Sequence, residues 1–386
     1  MTPLLEITAT DRILYFAPHP DDESLGGAGL IQHAVRAKAS VRIVFVTNGD
    51  QNPWAQRAAE WRWSIGPDEQ ARWGARRRKE ALAAMEHLGL GEEDAGFFHW
   101  PDQGVTAFLL QADESALETI CREIQAFRPT LLVLPSPEDT HPDHNAFYVL
   151  TQLALARLSE RGCHCPQLTY VIHKPHYPVS GQKMAVGLSA EEVQVKRDAI
   201  QRHQTQMLSR RRFLAHATPL EKFYLPATPH VESATHPIRS AAFEDGALRL
   251  MVELPSLRAI GSPKLHIAIE SLTEGPVRWT LNLPHRSARV RLRCAITERQ
   301  GRFASVRMKG RMAEIAIPVW SVQPVGRAFV KLDCRPLFFD VAGWHEVTVV
   351  EGFTASPFVP GVSTKVKSLP RPTSHSQPAG DYLPPV

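Results

Sequence analysis

Residues 17–27, "APHPDDESLGG", put an imidazole and two adjacent carboxylates, His19, Asp21 and Asp22, between prolines and glycines. A turn needs one Asp or Gly, not this cluster. A second cluster answers it: "THPDHNA" carries His141, Asp143 and His144. A catalytic zinc takes three protein ligands from His, Asp or Glu and leaves its fourth position to water or substrate. His19, Asp22 and His144 supply such a set. Asp21 and His141 then remain for proton transfer and charge stabilisation, and Asp143 is placed to orient His141 or raise its pKa.

The simplest competing reading makes Asp21 or Asp22 the N-cap of one helix and Asp143 that of another. It explains either cluster alone but not the same His-Pro-Asp core at both. "GGAG" at 26–29 is a poor phosphate cradle, because it lacks the full glycine fingerprint and the P-loop Lys-Ser/Thr, and carboxylates stand just upstream. Small residues packing a helix start against a sheet account for it.

The elements that must position these residues follow from hydrophobic period. "RILYFA", "VRIVFVT", "GFFHWP", "TLLVLP" and "QLTYVI" read as strands. "GGAGLIQHAVRAKA", "ARRRKEALAAMEHLGL", "ESALETICREIQAFRP", "HNAFYVLTQLALARL" and "SAEEVQVKRDAIQRHQTQ" read as helices. Strand–helix alternation predicts a Rossmann-like, mostly parallel sheet with helices on both faces. Ligands in such sheets collect beyond the carboxyl ends of the strands, where both clusters begin. From about Thr235 the pattern changes to short alternating runs, among them "ALRLMVEL", "KLHIAIESL", "ARVRLRCAI" and "WHEVTVV". These predict an all-β, sandwich-like unit. The expected domains are 1–228 for the α/β part, 235–367 for the β part, and a Pro-rich tail, 368–386, without packed structure. Trp279, Trp320 and Trp344 are either core or sugar-stacking residues.

Composition excludes several classes. The net charge of +4 sets 44 basic against 40 acidic residues, too mild a balance for a nucleic-acid binder. No run approaches the length of a membrane span, and the N-terminus lacks a signal-peptide pattern. Five scattered cysteines, with Cys163 and Cys165 too close for a paired zinc site, do not form a disulfide framework. A cytoplasmic protein is expected, and a homo-oligomer is left open.

The chain resembles the LmbE-like N-deacetylases, which include phosphatidylinositol-glycan class L enzymes and deacetylases of thiol-cofactor biosynthesis. The resemblance rests on "PHPDD" (18–22) and "HPDH" (141–144). It is supported by "RRKE" (77–80), "WPDQG" around Asp102, and "AIQRHQTQ" (199–206), where Thr205 stands in place of a commoner Ser. It covers roughly residues 12–225 and leaves the β part open. It implies zinc on His19, Asp22 and His144, Asp21 as general base and His141 as electrophilic helper. Arg77 and Asp102 fall where relatives contact the sugar. Glu80 either supports the site or makes helix-surface pairs, and His203 either reaches the site or is structural. The implied reaction is zinc-dependent removal of an N-acetyl group from an N-acetylglucosamine-type sugar or conjugate. An amidase cleaving a larger acyl or a thiol-conjugate amide is the alternative, and a non-catalytic sugar-binding scaffold a distant one. A two-metal phosphoesterase would need more carboxylates than these motifs hold.

Overall fold

The computed structural model describes residues 3–159, 164–207, 211–226, 236–244, 246–255, 263–271, 275–294, 302–319, 324–334 and 339–348. The boundary expected at 228–235, the tail 368–386, Cys163 and Trp320 lie outside them. Strands β1 (Arg12–Ala17), β2 (Ser40–Thr47), β3 (Ala95–Trp100), β4 (Leu131–Pro135), β5 (Gln167–Tyr170), β6 (Lys183–Gly187) and β7 (Leu220–Tyr224) form one sheet in the order β3-β2-β1-β4-β5-β7-β6. The first five are parallel, and β7 and β6 close the edge antiparallel.

Side chains along a strand alternate between faces, so each strand feeds two cores. Ile13, Tyr15 and Ala17 enter one; Leu14 and Phe16 enter the other. The first core is covered by α1 (Asp22–Ala37), α3 (Pro67–His87) and α7 (Ala190–Arg202), and the second by α4 (Val105–Gln111), α5 (Glu114–Phe127) and α6 (Pro142–Ser159). Two short helices, α2 (Pro53–Glu60) and α8 (Gln204–Met207), complete the layer. The run expected as one helix through Gln206 breaks at His203, whose backbone (φ −76°, ψ 61°) leaves the helical region. The glycines of "GGAG" are packing residues: a Cβ at Gly27 would lie 2.4 Å from the Tyr15 ring and one at Gly26 2.7 Å from Tyr170.

The chain winds outward from β1 to β2 and β3, then returns to place β4 on the other side of β1. The crevice beyond the carboxyl ends of β1 and β4 is therefore a topological switch point, the place where open α/β sheets bind ligands. Both His-Pro-Asp clusters sit there.

The second part is two five-stranded antiparallel sheets packed on a core of their own. One holds β8 (Ile238–Glu244), β9 (Ala247–Glu253), β12 (Ala288–Arg291), β14 (Phe303–Lys309) and β15 (Met312–Pro318). The other holds β10 (Lys264–Ser271), β11 (Gly275–Asn282), β13 (Arg293–Cys294), β16 (Pro324–Asp333) and β17 (His345–Thr348). The run "ARVRLRCAI", expected as one strand, is split: β12 pairs with β14 and β13 with β11, and buried Leu292 marks the crossing between sheets. Trp279 and Trp344 are core residues. Ala268, Phe329 and Trp344 pack into the same apolar cluster as α5 and α6, so the sandwich continues one core of the α/β layer. Arg278 seals the seam by donating from Nε to the Leu109 carbonyl at 3.0 Å, in the last turn of α4, where a cation also meets the helix dipole.

Candidate active site

The turn after β1, the first residue of α1 and the first turn of α6 bring three candidate ligand atoms together. His19 Nδ1 lies 3.2 Å from His144 Nε2, and Asp22 Oδ2 lies 3.5 Å from the first and 3.2 Å from the second. Tetrahedral zinc with ligand bonds near 2.0–2.1 Å separates its ligand atoms by about 3.4 Å. The triangle has the edges of a zinc face.

The far nitrogens of both rings face carboxylates. His19 Nε2 is 3.2 Å from Asp102 Oδ1 and 3.3 Å from Asp143 Oδ2, and His144 Nδ1 is 3.3 Å from Asp139 Oδ2. A carboxylate on the far nitrogen holds the proton there and turns the lone pair of the near nitrogen inward, the usual support of a metal-ligating histidine. Burial opposes charging these rings, but Asp22 and Asp139 push His144 up to about 10, and Asp102, Asp143 and Asp22 raise His19. So much buried negative charge calls for cations, and a divalent ion displaces the protons that otherwise supply them. The residues fit a metal site.

Asp21 points elsewhere. It occupies the N-cap position of α1, yet its side chain makes no capping bond, and its backbone has φ 148°, a conformation unusual for a residue with a side chain. Such strain costs on the order of 1–3 kcal/mol and persists only when surroundings impose it. Here the Asp21 amide donates to Glu23 Oε2 at 3.0 Å, and Glu23 Oε1 is held by His203 Nε2 at 2.9 Å. Arg77 Nη2 contacts Asp21 Oδ2 at 3.2 Å and donates to the Pro20 carbonyl at 2.7 Å; Nη1 donates to the Gly49 carbonyl at 2.8 Å. Gly49 has no room for a Cβ, which would lie 1.9 Å from Arg77 Nη1. Burial raises the Asp21 carboxyl to about 6 against the pull of Arg77, the range suited to a general base at neutral pH.

His141 faces the same space, its ring 4.5 Å from that of His19 and 4.9 Å from that of His144. Its Nδ1 accepts the Asp143 amide at 3.2 Å, so the neutral ring carries its proton on Nε2. The Asp143 carboxylate accepts the amides of Gln103 at 2.7 Å and Val105 at 3.2 Å, and neighbours His19. Its contact with the His141 ring is thus through its backbone amide, and its carboxylate supports His19. Asp102 likewise divides its oxygens between His19 and the Gln51 amide, at 2.9 Å. Arg77 and Asp102 line the cavity while these bonds hold them in place. Glu80 is buried and accepts from the Thr205 amide and hydroxyl, at 3.1 and 2.6 Å, so it fastens the segment after α7. His203 acts through Glu23.

A cavity of about 470 Å³ opens over the cluster, lined by His19, Asp21, Asp22, Asp102 and His141 with polar Gln51, Asn52 and Gln103 around them. Sequence reasoning missed Asp139, Glu23 and His173, and reached Phe339 only as part of "FFDVAGWHEV" (338–347), a candidate binding edge of a β part that could pack over the active-site mouth. Asp139 and Glu23 stand inside or beside the quoted motifs, and their acidic side chains were the available signal. Nothing in the sequence around His173 points to this site.

Residues 14–155 match the family model described as PIG-L: GlcNAc-PI de-N-acetylase. Among curated proteins, the chain is 33% identical over 148 residues to the 1D-myo-inositol 2-acetamido-2-deoxy-alpha-D-glucopyranoside deacetylase of Mycobacterium avium, covering 35% of this chain and 48% of that protein. It is 31% identical over 162 residues to the protein of the same description from Mycolicibacterium smegmatis, covering 39% and 54%. The chain thus spans about half the length of the curated relatives it matches. Similar solved structures include a conserved protein from Thermus thermophilus, 21% identical with TM-score 0.42, covering 59% of this chain and 99% of that one. Another is the N,N'-diacetylchitobiose deacetylase from Pyrococcus horikoshii, 19% identical with TM-score 0.42, covering 55% and 83%. Both His-Pro-Asp clusters thus lie within the stretch, residues 14–155, that is similar to the PIG-L family.

Proposed function

We propose that the protein is a zinc-dependent N-deacetylase acting on an N-acetylated amino sugar or its conjugate, in the cytoplasm. The observation that carries this is the triangle of His19 Nδ1, Asp22 Oδ2 and His144 Nε2 beside a separate carboxylate, Asp21, held outside it. The printed activity of the mycobacterial relatives, removal of an acetyl group from a 2-acetamido sugar, supports it.

His19, Asp22 and His144 would hold the ion, which supplies a Lewis acid and a more acidic water at neutral pH. Asp21 takes the proton of the attacking water. Its raised carboxyl is ionised at neutral pH yet close enough to the working pH to pass the proton on. His141 donates from Nε2 to the amide oxygen as negative charge develops there; one such donor contributes roughly 3 kcal/mol to the barrier. The proton held by Asp21 then goes to the leaving nitrogen, and the second proton of the water, left on the acid, passes by way of Asp21 to the freed amine, so the products leave as ammonium and carboxylate. Gln51, Asn52 and Gln103 offer partners for sugar hydroxyls.

An amine-release screen of N-acetylated amino-sugar conjugates with the zinc-loaded chain tests the reading. Turnover that disappears on chelation and returns with zinc is expected. Stoichiometric zinc with no amine released from any acetamido sugar would overturn it.

A further inference from the structure

Among the described residues, the β sandwich reaches the cavity at residues 339–344. Phe339 lines the cavity, its ring 5.0 Å from that of His173 and 5.8 Å, edge-on, from that of His141. The loop is fastened to the segment that carries His141. The Asp340 amide donates to the Thr140 carbonyl at 2.8 Å and the Trp344 amide to that of Pro137 at 2.9 Å. Asn145, next to His144, donates to Asp340 Oδ2 at 2.9 Å and accepts from Lys331 Nζ at 3.1 Å; Lys331 in turn pairs with Asp340 at 2.5 Å. All three are buried. At Gly343 the backbones approach so closely that a Cβ would lie 1.7 Å from the Pro137 carbonyl oxygen. The position of Phe339 is therefore set by the bonds that fix the His141 loop.

The cavity lining mixes polar groups with apolar Leu25, Pro53, Trp54, Phe213 and Phe339, and of these apolar side chains Phe339 is the one whose ring meets His141. Gln51, Asn52, Asp102 and Gln103 come from the ends of β2 and β3 and present polar groups. Phe339 presents an apolar ring beside His141, where the amide oxygen is held. An amide in that position has the sugar on one side of its carbonyl and the acyl carbon on the other. Hydroxyls match Gln51, Asn52, Asp102 and Gln103, and the ring in contact with His141 is the apolar surface next to the carbonyl, where the acyl carbon lies. We propose that Phe339, contributed by the C-terminal sandwich, forms the end wall of the acyl pocket and restricts the reaction to short acyl groups. This rests on the amidohydrolase reading of the site. The family match ends at residue 155, so nothing in it assigns the residue.

The test uses the full-length zinc-loaded chain and its Phe339→Ala and Phe339→Leu variants. Turnover is compared on N-acetyl-, N-butanoyl- and N-hexanoyl-glucosamine conjugates. Binding of acetate, butanoate and hexanoate, the carboxylate products, is measured separately by calorimetry. A methylene in an apolar pocket changes discrimination by about 10–200-fold. Phe339→Ala should therefore shift kcat/KM and carboxylate affinity at least about tenfold from acetyl toward butanoyl and hexanoyl, at unchanged zinc content. Phe339→Leu should fall between. Should the alanine variant not fold, the leucine variant decides by the same ratio. Unchanged ratios, or a change that follows the aglycone instead of the acyl chain, would overturn the proposal. If the parent releases amine from no conjugate, the functional reading fails, whereas the carboxylate series still reports whether Phe339 bounds the pocket.

Discussion

Asp21 and Asp22 are the same chemical group on neighbouring residues, and the fold gives them opposite surroundings. Burial would raise both carboxyls. For Asp22 the His144 and His19 rings outweigh it and hold the group well below its ordinary range, as a ligand requires. For Asp21 burial outweighs Arg77 and lifts it to about 6. Asp21 has the strained φ of 148°, and its carboxylate meets Arg77 Nη2 at 3.2 Å. Asp21→Asn keeps the size of the side chain but cannot take up a proton. It should retain near-stoichiometric zinc and lower kcat by about 10²–10⁴-fold, the usual worth of a general base. Asp22→Asn should instead weaken zinc binding, with activity partly recovered by excess metal. Metal analysis together with kinetics separates the two, and loss of metal from Asp21→Asn would refute the division of roles.

The strands deliver the residues, but loops tied to one another aim them. Asp139 shows how. It follows β4 in the chain, and its Oδ2 accepts the Ile172 and His173 amides after β5, at 2.9 and 3.0 Å. The same oxygen faces His144 Nδ1, and Oδ1 accepts the His141 amide at 2.9 Å. One carboxylate thus joins two strand ends to both histidines of the second cluster. Asp139→Asn removes the negative charge that holds the His144 proton on the far nitrogen, while its one oxygen, in the place of Oδ2, still accepts the Ile172 and His173 amides and the bond from the His141 amide is lost. Loss of such a partner typically costs 10–100-fold in metal affinity. Zinc competition titration should show a fall in that range with the fold retained by circular dichroism. An unchanged affinity would show that the contact does not orient His144.

At the scale of the molecule, the α/β layer and the sandwich also meet at a histidine pair. His236, at the start of the sandwich, packs edge-on to Tyr177 at 5.2 Å and 5.3 Å from His345 of β17. Burial, with His345 and Arg239 nearby, lowers His236 to about 3, although the Ile238 backbone favours charge; burial also lowers His345. The folded state keeps these rings neutral, while the unfolded chain takes up protons near pH 6.5. Their stabilising contribution is full above about pH 6.5 and is lost progressively as pH falls toward about 3. For His236 alone the loss is of the order of 3–5 kcal/mol across that window. His236→Phe should flatten the dependence of the denaturation midpoint on pH between 6.5 and 4 while shifting it little at pH 8. A parallel dependence in parent and variant would show that the junction does not titrate.

The sequence by itself determined the α/β layer and where its chemistry lies. Buried strands advertise themselves by short apolar runs and amphipathic helices by their period, and both are local properties. "HPDD" and "HPDH" placed the cluster at strand ends before any coordinates, because ligand-rich turns are costly to keep without a task. The alternation of β9 and β15 was legible in the same way, whereas β8, β14 and the split of β12 from β13 were not, since pairing depends on distant partners. Tertiary structure alone decided that Asp139 and Glu23 serve His144 and Asp21, and that the Asp143 carboxylate serves His19. It also decided that His141 touches Phe339, nearly two hundred residues along the chain. Residue type and period are written along the sequence, whereas which carboxylate meets which ring depends on how loops from separate strands converge at the switch point.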